Sequence, residues 1–523
     1  MVILTLAVSS AAGRRRTSMY NHQMQYRMKM FSHIVHLAVL FLAPVLTACA
    51  KSGDPVGPDA PSIPTDVEYY NFSPKVATSD IYSVTAGGQD IKVFPTDEPH
   101  VAWIGAADGV SVKFEVKLKN GVIKKADVRP LGKKYDYSID GGKLTIELKR
   151  YDRVSVEING DIENPLFIFV NPIDSERPSK DDPGVRYFEA GKIYDAGDIR
   201  LSDACREVYL EPGTYVKGNI LGLNVSGVRI HGGGLLSSVR NKGSYTEFYQ
   251  TFGVALYGCE NARVDDITSV FAGAGWSSLF TNCHNSVITN FKALGLSDPD
   301  SKSERTVNND SMDIIGGRNI RVSKCFLRGH DDAYCIKSQK FKLKGAVDGV
   351  WFEDCIGWNV GAGNTFEIGY ECQIDIRNVH YKDIYAIHSG TSGTDMRRAA
   401  LSIHNGAAGT VSDVTYENAY IEDAQEFAIW LACLSHNYNI GFEDDGVTPL
   451  KYSPGIIRNV TYRNVYVLGA RPGKGSCVIR GYDGEHGISG VTFENFDNLG
   501  KKISSLDDPI WAEKSFCSEV SFK

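Results

Sequence analysis

The sequence lacks any Cys-x-x-Cys pair, and its eleven cysteines form no ligand-spaced cluster with histidine. That spacing excludes the usual structural zinc sites and leaves no metal or cofactor to expect. There is also no series of apolar runs of roughly 18 residues or more, which excludes a multi-pass membrane protein. Positive charge is short as well: 56 Lys and Arg stand against 63 Asp and Glu, a net of -7. The first 48 residues hold five of those cations and no acid, so the remainder carries 51 against 63, or -12. A chain this acidic is a poor ligand for nucleic acid or an anionic membrane surface, where binding rests on neutralising phosphate. What the chain has in quantity is glycine, 52 residues, which points to many turns and few long helices. Its 42% hydrophobic and 23% charged content is that of a globular protein, which excludes a disordered or collagen-like chain. At 523 residues it has room for roughly two to four domains.

The N-terminus reads as an address. Arg14, Arg15, Arg16, Arg27 and Lys29 precede an apolar run at 31–46 (FSHIVHLAVLFLAPVL) and then Thr47, Ala48 and Cys49. This is a charged region, a hydrophobic region and a small-residue cleavage site. The LTAC ending at Cys49 resembles the lipobox of bacterial lipoproteins, which implies cleavage before Cys49, lipid on its thiol and a membrane-anchored exported protein. A plain secretory signal is the alternative, and either one predicts export. The long stretch before the apolar run leaves Met28 or Met30 as candidate true starts. Disulfides are permitted outside the cytoplasm, but spacing assigns none, and several of the other ten cysteines sit in apolar strand patterns as small hydrophobes.

The mature chain divides by pattern. Residues 49–66 place four prolines among Gly, Ser and Asp and read as a solvated tether. Over 67–172 the period is two: Val110, Val112, Phe114, Val116 and Leu118 alternate with polar residues up to Asn120-Gly121, and Asp140-Gly141-Gly142 leads into Leu144, Ile146 and Leu148. Such alternation with hairpin turns predicts a small β-sandwich, with support or sugar binding as its default role. A connector at 173–200 leads to the region 201–523. There one strand recurs as NARVDDI (261–267), NSVITNF (285–291), NIRVSKC (319–325), GVWFEDC (349–355), VHYKDI (379–384), VTYENA (414–419), VTYRNV (460–465) and VTFENF (491–496). Anchored on Val264, Ile288, Val322, Phe352, Tyr381, Tyr416, Tyr462 and Phe493, the repeat steps are 24, 34, 30, 29, 35, 46 and 31. Coils of about two dozen residues with loops added predict an all-β solenoid, a parallel β-helix, because no single coil buries its own apolar face. A propeller is the weaker alternative, since it needs several tight hairpins per repeat and those hairpin signals are missing.

Acids concentrate in NNDSMDI (308–314) and GHDDAYCIKS (329–338). Asp310 and Asp331 are 21 residues apart, about one bare coil, and side chains one coil apart lie roughly 4.8 Å apart. Asp332 adds a third carboxylate. Glycoside hydrolysis needs one carboxyl protonated for the leaving oxygen and another ionised to activate water, and clustered acids raise one another's pKa. An Asp in a turn also serves its own backbone.

These two segments, with Lys337 and Ser338, resemble the acidic signatures of the polygalacturonases of glycoside hydrolase family twenty-eight, and AGAGWSSLFTNCHNSVITNF (272–291) with Trp276 resembles the coil before them. Downstream the chain departs: the family's Gly-His-Gly loop corresponds to GAGNTFEIG (361–369), with Asn364 where the His is expected, and its Arg-Ile-Lys segment to LSIHN (401–405), with Ser402 and His404. The dextranase and isopullulanase family, forty-nine, is similar in sharing the acids, lacking that His and placing a β-sandwich before the β-helix; the run from Asn364 to Tyr370 and on to His388 also looks similar. The resemblance implies a right-handed parallel β-helix and an inverting hydrolase of an α-linked polysaccharide. It implies Asp331 as general acid, Asp310 and Asp332 as water-holding carboxylates, Lys337 as substrate ligand or charge partner, and Asn308 as orienter of Asp310. Trp276 and Tyr370 are candidates for stacking on sugars. Asn364, Glu367 and His404 are further substrate-binding candidates, and Asp313 is a second-tier acid whose strand phase the sequence leaves open. Since a uronate needs Arg or Lys beside it, Ser402 and His404 favour a neutral glycan over pectin, with Arg397 and Arg398 just upstream as the cations that keep pectin open. A non-catalytic sugar-binding or adhesin solenoid is the rival of another class, and a lyase a third reading on the same fold.

Overall fold

A computed structural model describes residues 66–96, 98–238, 252–272, 276–296, 309–340, 344–361, 363–390, 398–434, 447–449, 451–469 and 475–523. The segments expected to be a signal, a lipobox ending at Cys49 and a tether, up to residue 65, and also Asn308 and Arg397, lie outside the described residues. The described chain is all-β, a sandwich followed by a parallel β-helix. Its strands gather into a six-stranded and a five-stranded sheet near the N-terminus and one connected ladder of 28 strands after them.

The repeat anchors read from the sequence pair in one register. Val264 lies beside Ile288, and the row continues through Val322, Phe352, Tyr381, Tyr416, Tyr462 and Phe493 to Phe522. Their rings stack inside the solenoid: Phe352 on Tyr381 at 4.8 Å, Tyr381 on Tyr416 at 4.7 Å and Tyr416 on Tyr462 at 4.9 Å, all within 5° of parallel. After each such strand the chain turns a corner through a left-handed residue, such as Asn290, Asp354, Asp383, Asn418, Asn464 or Asn495. Asn and Asp tolerate that conformation because their short polar side chains bond locally. Here they bond to one another up the stack: Asn418 donates to Asp383 at 2.8 Å, Asn464 to Asn418 at 2.9 Å and Asn495 to Asn464 at 3.0 Å.

Two local expectations change. The connector expected over 173–200 already carries ladder strands, Val185–Phe188 and Ile193–Arg200, whose mixed polar pattern hides them because one face is exposed and the other mostly only half-buried. Asp140-Gly141-Gly142 forms a two-residue hairpin, Asp140 facing Lys143 with both glycines at positive φ. Asn120-Gly121 instead lies where the chain leaves the five-stranded sheet after Leu118 and enters the six-stranded sheet at Ala126. All ten described cysteines are free thiols, eight of them buried.

Three sandwich strands, His100–Ala106, Arg153–Ile158 and Leu166–Pro172, are buried along almost their whole length because both faces are covered. One face fills the sandwich core; the other sends Val101, Trp103, Phe167 and Phe169 into a cluster with Leu294, Phe326 and Trp358 of the β-helix. Charges seal this seam. Arg153, fully buried, donates to the Asp354 carboxylate at 2.8 Å, Arg129 bridges Glu157 and Glu422 at 3.0 Å each, and His388 lies 2.7 Å from Glu157. The sandwich and the β-helix therefore share a packed and ion-paired boundary. Phe169→Ala should lower unfolding free energy by about 3–5 kcal/mol in denaturant titration; a loss under about 1 kcal/mol would show that the boundary contributes little.

Candidate active site

One ladder of the β-helix carries the acids. Strands Ser278–Thr281, Met312–Ile315, Tyr334–Ser338, Phe366–Cys372, Ala399–Asn405, Phe427–Cys433 and Cys477–Arg480 pair in parallel, one per coil. Met312, Ile314, Tyr334, Ile336, Phe366, Ile368, Leu401, Ile403 and Ile429 point into the core, so by alternation their neighbours point outward. One outward row reads Leu279, Asp313, Cys335, Glu367, Ser402, Trp430, Val478. A parallel one includes Ile315 beside Lys337 and Gly369, His404, Ala432 and Arg480 in sequence. Ahead of the strands, Ser277 N–H donates to Asp310 O at 2.8 Å, Ser311 N–H to Asp332 O at 2.9 Å and Ala333 N–H to Asn364 O at 2.9 Å. These bonds continue the ladder and align Trp276, Asp310, Asp332 and Asn364. The coil step here is 22 residues, Met312 facing Tyr334. It is therefore Asp332 that stacks on Asp310, with Asp331 one residue before it in the turn.

Lys337 closes the acidic group. Its ammonium lies 3.2 Å from Asp310 Oδ2 and 2.5 Å from Asp313 Oδ1, and 4.6 Å from the centroid of the Trp276 ring. Burial pulls the Lys337 pKa down, yet Asp313, Cys335 and Asp310 more than offset it and hold the amine well above its usual range. Burial, then Asp313, push the Asp310 carboxyl well up, Lys337 opposes them, and Asp331 and Asp332 add to the rise. Burial likewise raises Asp313, against Lys337, to about 6. Among the described residues, Asp310 Oδ1 and Asp313 Oδ2 have no hydrogen-bond partner.

The other two acids are held differently. Asp332 Oδ1 accepts from the Asn364 backbone at 2.7 Å and from its side-chain amide at 3.0 Å. Asp331 is the partly exposed member of the group. Its N–H donates to Asn309 O at 3.2 Å, and its carbonyl accepts from Asn359 Nδ2 at 2.6 Å. Gly363 packs on this turn so closely that a Cβ would stand 2.1 Å from Asp331 C and Asp332 N, so only glycine fits there.

The chain is similar in fold to Dex49A from Penicillium minioluteum. The TM-score is 0.58 at 16% identity, over 87% of this chain and 96% of that one. Looser similarities are a polygalacturonase from Erwinia carotovora ssp. carotovora, TM-score 0.43 at 15% identity over 63% and 86% of the two chains, and a family 28 exopolygalacturonase from Yersinia enterocolitica, 0.43 at 13% over 87% and 97%. No protein-family model matches the sequence, and no curated protein matches it.

The described sequence candidates therefore fall on one face, in two groups, with Asn308 outside the described residues. Asp310, Asp331, Asp332, Lys337 and Trp276 stand together, with Asn364 bound to Asp332 and Ala399. On the next coils Glu367 accepts from the Ser402 hydroxyl and lies 3.0 Å from His404 Nδ1. Tyr370, 4.4 Å from the His404 ring, accepts from Arg398 Nη1 at 3.0 Å. Asp313, whose phase the sequence left open, points outward into the first group. Trp430 and Arg480 were not legible in the sequence. They extend the same outward rows, with His404 stacked on Trp430 at 5.7 Å and the Arg480 guanidinium 5.2 Å from that ring. Their signal is the coil register, which becomes usable once Ser402 and His404 are phased. If Lys337 is what opposes protonation of its neighbours, Lys337→Met should move the Asp313 titration upward from about 6, as read by carboxyl NMR; an unmoved or lowered value would contradict that balance.

Proposed function

We propose that the protein is an exported glycoside hydrolase that cleaves an α-linked polysaccharide with inversion. The observation that carries this reading is the placement of Asp310 and Asp332 on adjoining coils, beside the partly exposed Asp331, with Lys337 bonded into the group. A groove for binding alone has no use for buried like charges, which cost free energy unless paired. Inverting hydrolysis uses such a group: one carboxyl gives a proton to the leaving oxygen while others hold and deprotonate water. Asp331, the accessible member, is the general acid. Asp310, whose Oδ1 has no partner among the described residues, and Asp332, fixed by Asn364, hold the water. Burial raises the carboxyls of Asp310 and Asp313, which keeps a proton within the group.

The fold likeness to Dex49A and the sequence resemblance to family forty-nine support a dextranase-like enzyme acting on a neutral α-glucan. The outward positions one coil beyond Glu367 hold Ser402 and His404 rather than two cations. The second reading, a uronate polymer, has Arg398 in its favour, buried beside Tyr370. We also assign lipid attachment to Cys49, which makes the enzyme a membrane-tethered lipoprotein.

Asp331→Asn and Asp310→Asn should each lose about 10²–10⁴ in turnover while folding normally, and most activity surviving in either would remove the assignment. On a panel of dextran, pullulan and polygalacturonate, reducing ends should appear with the neutral glucans; release from polygalacturonate alone would select the second reading. Cys49→Ser should release the protein from the membrane fraction, and unchanged fractionation would mean a different anchor or a plain cleaved signal.

A further inference from the structure

The tip of the sandwich touches the turn that carries Asp331. Between strands Val93–Pro95 and His100–Ala106 the chain reverses, with Thr96 N–H and Thr96 Oγ1 both donating to Pro99 O, at 3.1 and 2.6 Å. Glu98 N–H donates to Thr96 Oγ1 at 3.2 Å. This tight reversal presents the Glu98 carboxylate to the β-helix. There Oε2 meets the Arg328 guanidinium and Oε1 lies 3.0 Å from His330 Nε2. Arg328 and His330 are both buried, and His330 is the residue before Asp331. Arg328 is further tied by donating to Gly295 O at 2.7 Å and lies 5.3 Å over the Trp358 ring. The backbone of the turn is fixed by Asn309, by Asn359 and by Val360 N–H, which donates to Gly329 O at 2.9 Å. The side chains that flank it in sequence are held by a carboxylate about 230 residues earlier in the chain.

We propose that Glu98 is a positioning residue for Asp331, so that the N-terminal sandwich completes the active site. The inference rests on the reading of Asp331 as general acid. Glu98 acts by geometry and by charge. It locks the His330 ring and so the entry of the chain into Asp331, where a displacement near 1 Å costs about 10² in rate. It also balances Arg328 and any charge on His330. Among the described residues, Asp310, Asp332 and Lys337 also stand in the acidic group with Asp331. Losing Glu98's negative charge leaves Arg328 uncompensated, and that favours ionised Asp331.

The test is Glu98→Gln in the full-length protein, with Asp331→Asn in parallel. Expected are a kcat about 10- to 10²-fold lower, KM little changed, and an alkaline limb of the kcat profile moved to lower pH, which a merely structural role would not produce. In the double variant with His330→Asn the loss should be no larger than in the worse single one, because both break one contact. Wild-type kcat and pH profile in Glu98→Gln, with Asp331→Asn inactive, would overturn this inference and leave the proposed function standing. An active Asp331→Asn would overturn both. If Glu98→Gln does not fold at the assay temperature, Glu98→Asp takes its place, keeping the charge and shortening the reach. A lowered kcat on the wild-type pH profile then supports the proposal, and full wild-type kcat overturns it.

Discussion

Everything in this molecule depends on the in-register stacking of parallel strands. Once Val264 lies beside Ile288 and Phe352 beside Tyr381, every residue on each strand has its neighbours on the coils before and after chosen for it. The stacked rings inside and the asparagine and aspartate corners enforce that register, because a slip of one residue would send an entire apolar set outward. The clustering of the acids follows as a by-product: residues far apart in sequence become neighbours at the strand spacing. The acidic group is one stretch of this ladder in which the outward positions are carboxylates.

That stretch works against the folding of its own surroundings. Asp310 and Asp313 are buried on an outward face, where burial and mutual repulsion favour their protonated forms. Lys337 offsets part of this by bonding both. A network that is only partly satisfied costs stability, and the structure compensates elsewhere, in the continuous core and in the boundary where the sandwich packs on Phe326 and Trp358. The sandwich packs on the β-helix there, and through Glu98 it reaches the turn that carries Asp331.

The fold was legible in the sequence because repetition repeats its evidence. Eight anchors with an apolar, any, polar, apolar pattern announced the ladder, and all eight occupy one row. The first ladder strands within 173–200 were missed because Ile193–Arg200 alternates half-buried with exposed residues and offers no apolar signal. Asn120-Gly121 was misread because turn chemistry is local and does not say which sheet the next strand joins. In the site, residue types and motif spacing located Asp310, Asp331, Asp332 and Lys337, while the true step of 22 rather than 21 needed the backbone bonds. Trp430 and Arg480 stayed hidden until register phased them, and the contact of Glu98 with His330 joins residues that no local pattern connects.

In the proposed reaction two carboxylates hold water against the sugar while a third protonates the leaving oxygen, with no covalent glycosyl intermediate. The anomeric configuration of the first product tests this most directly. Proton NMR of an α-linked oligosaccharide during the first minutes of hydrolysis should show the β-anomer appearing first and mutarotating later, since water attacks from the face opposite the leaving group. An α-anomer as the initial product would mean a carboxylate attacks the sugar itself and would contradict the account.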